Sequence, residues 1–258
     1  APMGLDMLLH RAYPWRRFPS TRPERSTMSD QYDPHFEPPI NKLPVVVVIL
    51  FLVMAGVELT LALGEAGFAG GPTAIGWRLA LVRDWGFSGD IFDAMLAQGY
   101  WSWDNLARLI TYPFIHLGFT HALIAIVLML ALGKMAAEVM GQFAMLALFV
   151  ASGIGGALAY ALLLDDPVWL VGAYPAVYGL IGGYSFLLWR RLGATGGQQM
   201  RAFSLIAMLM GLQLVWSLIG TVGNGWVAEL AGFVCGFALC FLCAPGEWAR
   251  LLRRMRDR

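Results

Sequence analysis

Gly172-Ala173-Tyr174-Pro175-Ala176-Val177-Tyr178-Gly179-Leu180 opens an apolar run that reads as a membrane helix. Pro175 suits the first turn of that helix, where its missing N–H breaks no internal hydrogen bond. Gly179, followed by Gly182 and Gly183, lines the run with residues small enough to let another backbone approach. A similar frame recurs in a later run, Ala228-Glu229-Leu230-Ala231-Gly232, with Gly236 four residues further on and Cys240 at the next step. Alone, a Gly-x-x-x-Gly pair says only that helices pack closely. Here each frame also carries a polar group at its entry, Tyr174 in one and Glu229 in the other. An ionisable group within a span is costly and needs an explanation.

Composition sets the class. The chain has 258 residues, of which 58% are hydrophobic and 14% charged, with a mean hydropathy of +0.62. Those values describe an all-α polytopic membrane protein whose first partner is membrane lipid. A net charge of +1 and the absence of a basic patch with interleaved aromatics argue against nucleic acid as a partner. Cys235, Cys240 and Cys243 fall in one apolar run and read as small packing residues rather than metal ligands or a disulfide. Neither a metal nor a cofactor is expected. Residues 1–40 are polar, proline-containing and arginine-rich, which predicts a disordered tail. They lack the short apolar core of a secretory signal and are expected to stay attached, although Met28-Ser29-Asp30 reads equally well as a start. A membrane domain over 41–246 and a basic tail over 247–258 complete the expected organisation.

Six apolar runs approach the roughly 20 helical residues needed to cross a bilayer. They lie near 44–63, 113–133, 142–164, 174–190, 202–220 and 227–244. Between the first two runs lies a long loop, 64–112, too polar to span. Trp77, Trp85, Trp101 and Trp103 in that loop predict a position at a membrane interface. With six spans the termini share a side. The N-terminal basic residues, Lys42, Lys134, Arg190, Arg191, Arg201 and the arginine cluster over 250–258 fall on it, leaving Arg78, Arg83 and Arg108 opposite. The bias predicts both termini in the cytoplasm.

In this topology His116 and His121 open the second span, Tyr174 and Tyr178 the fourth, and Glu229 the sixth, all from the outer side. Their convergence on one leaflet is what an outward-facing cavity requires. Each one singly could be a structural hydrogen bond. Glu58, inside the first span, reads as a carboxylate near its outer end; Asp165-Asp166-Pro167 reads as a solvated turn; Ser185 is expected to bond back to its own helix.

With these residues in place, the chain resembles the rhomboid intramembrane protease family from about 44 to 244. Arg108, Thr111, Phe114, His116 and His121 match the family's entry into its second helix, and Gly133, Glu138 and Gly141 the turn that ends it. Gly172, Ala173, Ala176, Val177, Tyr178, Gly179 and Leu180 match the active-site turn, and Ala228, Gly232 and Gly236 the last helix. The resemblance implies a six-helix bundle whose first loop is interfacial, and a position in the bacterial cytoplasmic membrane. It also implies a serine nucleophile at the position of Tyr174, a histidine base at that of Glu229, and oxyanion donors at those of His121 and Ala125.

The departures fall on the chemistry. Tyr174 replaces the serine, Pro175 the glycine after it, Glu229 the histidine, Ala125 an asparagine and Ala107 a tryptophan. A phenol near its ordinary pKa of about 10 is a poor nucleophile, and a neighbouring carboxylate opposes its ionisation. Loss of one oxyanion donor typically costs about 100–1,000-fold in rate. The expected function is therefore that of a pseudoprotease binding transmembrane clients, the broad role of the iRhoms and derlins. An active intramembrane serine endopeptidase and a structural subunit of a membrane complex are the alternatives. His116 and Tyr178 are expected to line the former active site, and Gly179, Gly182, Gly232 and Gly236 to pack its helices. Tyr174 is expected to donate to Glu229 as a lock between the fourth and sixth helices.

Overall fold

A computed structural model describes residues 42–219 and 223–243. The tails expected over 1–40 and 247–258 lie outside the described residues. The described chain is nearly all helical. Its helices are α1 (Val45–Glu65), α2 (Trp77–Trp85), α3 (Gly89–Gln98), α4 (Trp103–Thr111), α5 (Phe119–Met140), α6 (Gln142–Leu163), α7 (Tyr174–Ala194), α8 (Ser204–Ile219) and α9 (Gly225–Cys243). Single 3₁₀ turns cover Gly71–Gly76, Tyr112–Phe114 and Gln199–Phe203. Among the described residues α1, α5 and α6 are long and apolar enough to cross a membrane, and the chain is an integral membrane protein.

The long first loop is built rather than plain. It folds into α2, α3 and α4, and Ser88 caps α3 by accepting from the Ile91 N–H at 3.4 Å. Phe87 and Leu170 exchange backbone hydrogen bonds of 3.1 and 2.8 Å in an isolated antiparallel bridge. The Gly172 N–H reaches the Tyr112 carbonyl at 3.0 Å. These three bonds fasten the loop to the chain entering α7.

The second span departs from its expected bounds. Pro113 ends the preceding helix in a 3₁₀ turn, and α5 begins only at Phe119. His116 therefore sits in the connection before the helix, while His121 opens it. At the other end α5 continues to Met140 and stops at Gly141, whose φ of 90° favours glycine.

α7 occupies the centre, with Pro175 through Gly183 buried without a break. Its neighbours approach over glycines. A Cβ on Gly182 would strike the Phe233 carbonyl oxygen, one on Gly232 the Pro175 carbonyl oxygen, and one on Gly236 the Gly179 carbonyl oxygen. On the other side of α7, a Cβ on Gly179 would collide with Ser152 of α6. Cys240 is fully buried in the main core and Cys235 packs against Gly155, so both serve as small packing residues. The side chain of Cys243 lies outside the described residues.

Candidate functional site

The site is built on the turn into α7. Gly172 holds φ +98°, a conformation that L side chains rarely adopt, and a Cβ there would stand 2.7 Å from the His121 ring. The glycine thus lets the turn close over the histidine. One residue on, the Ala173 N–H points at His116 Nε2 at 3.4 Å. His116 is fully buried and its Nδ1 has no partner. Burial, then the neighbouring His121 and Arg78, pull its pKa down to about 4, so the ring is neutral.

Tyr174 stacks on the His121 ring with centroids 4.8 Å apart and planes 20° from parallel. Its hydroxyl donates to the His121 carbonyl at 3.3 Å. His121 Nδ1 accepts from the Leu117 N–H at 3.3 Å, leaving Nε2 to carry the proton of a neutral ring. Ala125, one turn further along α5, is fully buried in the apolar core and offers no donor.

Glu229 does not take its bond from Tyr174. Its carboxylate Oε2 accepts from Gln213 Nε2 of α8, and the Tyr178 hydroxyl approaches the same carboxylate as a second donor. The expected Tyr174–Glu229 lock is corrected by helix geometry. Tyr178 stands one turn deeper on the same face as Tyr174 and reaches α9, whereas the Tyr174 ring lies flat on His121 of α5. Two helix ties replace the one expected.

Arg78 was not singled out in the sequence, yet it organises the outer end of the bundle. Its guanidinium bonds Glu58 twice at 2.9 Å, Glu65 at 2.6 and 3.2 Å, and the His116 carbonyl at 2.6 Å. Glu58 is 4% exposed and would be an uncompensated charge without it. Hydrogen bonding to Glu58, then to Glu65, raises the already high Arg78 pKa and keeps the charge fixed. The available signal was the spacing of Glu58 and Glu65, two turns apart on one helical face. Gln213 was likewise missed: a lone amide in the fifth apolar run was its signal.

The remaining candidates fall apart from this cluster. Asp166 is buried rather than solvated; its carboxylate accepts from the Val168 N–H at 3.0 Å and from Asn224 Nδ2 at 2.8 Å. Those bonds hold its pKa below the ordinary carboxylate value. Ser185 is buried with no hydrogen-bond partner for Oγ, so it does not bond back to its helix; the contacts around it give no reason for a hydroxyl there. Among the described residues no group of His, Cys, Asp and Glu could hold a metal.

A cavity of about 370 Å³ opens beside the turn, lined by His121, Tyr174, Trp169, Gln213, Trp226 and Glu229 among others. It brings together Tyr174, Glu229 and His121 of the expected site. What it contains is a phenol stacked on an imidazole, and a carboxylate bonded by an amide and a second phenol. Neither unit is a hydroxyl paired with an imidazole base, the arrangement that serine-type acyl transfer requires.

A family model described as the Rhomboid domain matches residues 103–246, more than half of the chain. The chain is also 30% identical over 155 residues to a protein named "Putative rhomboid protease YdcA" from Bacillus subtilis (strain 168), covering 60% of this chain and 73% of that protein.

Proposed function

This chain belongs to the rhomboid family, and from that premise we propose that it is a pseudoprotease. It keeps the family's helical scaffold, lacks its nucleophile–base pair, and holds transmembrane clients in the space beside the turn into α7. One observation carries the reading. Tyr174 is stacked on His121 and Glu229 is bonded by Gln213 and Tyr178, and the reading takes these two as the positions of the family's nucleophile and base. Both groups are engaged in helix contacts, and among the described residues lining the cavity with Glu229 no Ser, Thr or Cys stands ready to give a proton to its carboxylate.

The same reading takes α1, α5, α6, α7, α8 and α9 as six spans of a bacterial cytoplasmic membrane, with both termini in the cytoplasm. The membrane domain is 41–246 between two polar tails. Segment 66–118 lies at the outer interface, a position supported by Trp85, Trp101 and Trp103, exposed by 45%, 49% and 85%.

A second reading, an active serine endopeptidase, is favoured by the likeness to a protein named as a protease. It would have to recruit another nucleophile. The buried hydroxyls of Ser152 and Ser185 have no hydrogen-bond partner, hence no base positioned to activate them.

Photo-crosslinking in native membranes tests the proposal, with a crosslinking residue at Trp226 on the cavity wall and mass spectrometry of the products. Single-span proteins captured in sub-stoichiometric amounts are the expected result. One constant partner at fixed stoichiometry would make the chain a subunit of a complex. Absence of any captured span would remove the client.

A further inference from the structure

The cavity beside α7 is lined by a carboxylate. Glu229 lines it, and among the described residues no Lys or Arg does. The sequence contains no Lys, Arg or His between Arg201 and Arg250, so neither α8 nor α9 can supply one. Arg78 is engaged by Glu58 and Glu65. Arg108 lies 5.4 Å from the centroid of the Trp169 ring, but its Nη1 donates to the carbonyls of Arg83 and Gly86 and it does not line the cavity. Among the described residues Glu229 is thus bonded by neutral donors, Gln213 and Tyr178.

Other features of the wall point the same way. Gln213 Oε1 is buried with no partner, an acceptor beside the carboxylate that a second donor would satisfy. Trp169 and Trp226 contribute indole rings to the lining, and Trp226 is 45% exposed one helical turn before Glu229. Tyr160 and Tyr174 add two more aromatic walls. Acceptors and aromatic faces around a carboxylate form the environment that an organic cation prefers.

We infer that this cavity receives the ammonium or guanidinium of a basic residue at the outer end of a client's transmembrane segment. The inference rests on the client-binding reading and names the feature by which a client is selected. A volume of about 370 Å³ accommodates one long side chain rather than a folded element. The apolar stem of Lys or Arg would run along Leu117, Val171 and Pro175, with its head reaching Glu229 and Gln213. An aminolipid headgroup offers the same charge; the side chain is favoured because Pro175 and Val171 give its stem an apolar wall.

The test uses the full-length protein in nanodiscs of phosphatidylglycerol, which has no ammonium. Two synthetic single-span peptides are titrated, identical except for lysine or norleucine at the outer end. The lysine peptide should bind at least 10-fold more tightly to the wild type, and Glu229→Gln should narrow that ratio below 3-fold. Equal affinity of the two peptides for the wild type overturns this inference while leaving client binding intact, and so does a lysine preference that survives Glu229→Gln. Loss of the preference when phosphatidylethanolamine is added assigns the cavity to the headgroup and overturns the client assignment. Binding of neither peptide overturns the client reading itself. If Glu229→Gln does not fold, equal affinity of the two peptides for the wild type still overturns the inference.

Discussion

Glu229 ties three helices through one side chain. Its carboxylate accepts from Gln213 and Tyr178 and joins α9 to α8 and α7. Glu229→Leu removes the acceptor from two donors at once. Interhelical hydrogen bonds in membranes average about 0.6 kcal/mol each, and buried unpaired donors cost about 1–3 kcal/mol. The Leu variant should therefore melt several degrees lower in detergent, and Glu229→Gln, which keeps one acceptor oxygen, by less than half as much. Tyr178→Phe should cost more than Tyr174→Phe, because the Tyr174 phenol retains its stacking on His121 without the hydroxyl. The opposite order would return the lock to Tyr174. His116 adds a dependence on pH. Its pKa is about 4 in the folded protein, against about 6.5 for a free histidine. The unfolded chain thus binds the extra proton between those values, and stability falls as pH drops from about 6.5 toward 4. The contribution is on the order of 3 kcal/mol at neutral pH. A thermal-shift series from pH 7.5 to 4.5 should show a shallower fall in His116→Asn than in the wild type; superimposable slopes would mean that His116 does not titrate with folding.

Among the elements, α7 and α9 meet closely enough that backbone faces backbone. A Cβ on Gly236 would lie 2.6 Å from Gly179 Cα, and a main chain cannot yield as a flexible side chain can. Gly236→Ala should cost about 1–3 kcal/mol through forced separation of the helices, read as a lower melting temperature in detergent. Gly56→Ala in α1 meets nothing within 4 Å and serves as the control. There the better helix propensity of alanine should make the change neutral or slightly stabilising. Equal losses at the two positions would mean that the tight approach is not real. The glycines of both helices were visible in the sequence because small residues at four-residue spacing have a direct steric consequence. The Arg78 clamp was not. Its three partners come from α1 and from the connection before α5, and no local pattern announces that a loop arginine will fold back between two glutamates.

For the molecule as a whole, much of the architecture was legible because hydrophobic runs and bilayer thickness constrain helices so strongly. The start of α5 was misplaced because Tyr112–Phe114 continues the apolar run while Pro113 prevents it from joining the helix. Of the residues singled out in the sequence, Tyr174, Glu229 and His121 line one cavity, whereas His116, Ala125 and Tyr178 are not among its lining residues. The pairing within the site was not legible, because Tyr174 and Tyr178 share one helical face and only the packing of α5 and α9 decides which phenol meets the carboxylate. Loss of proteolysis from this rhomboid-family scaffold remains the proposal on which client binding depends. Purified full-length protein incubated with a generic single-span substrate in nanodiscs, followed by mass spectrometry of any fragments, measures that directly. Intact substrate, indistinguishable from the control without the protein, is expected for the wild type and for Tyr174→Phe and Glu229→Gln alike. Cleavage by the wild type that either substitution abolishes would contradict the proposal.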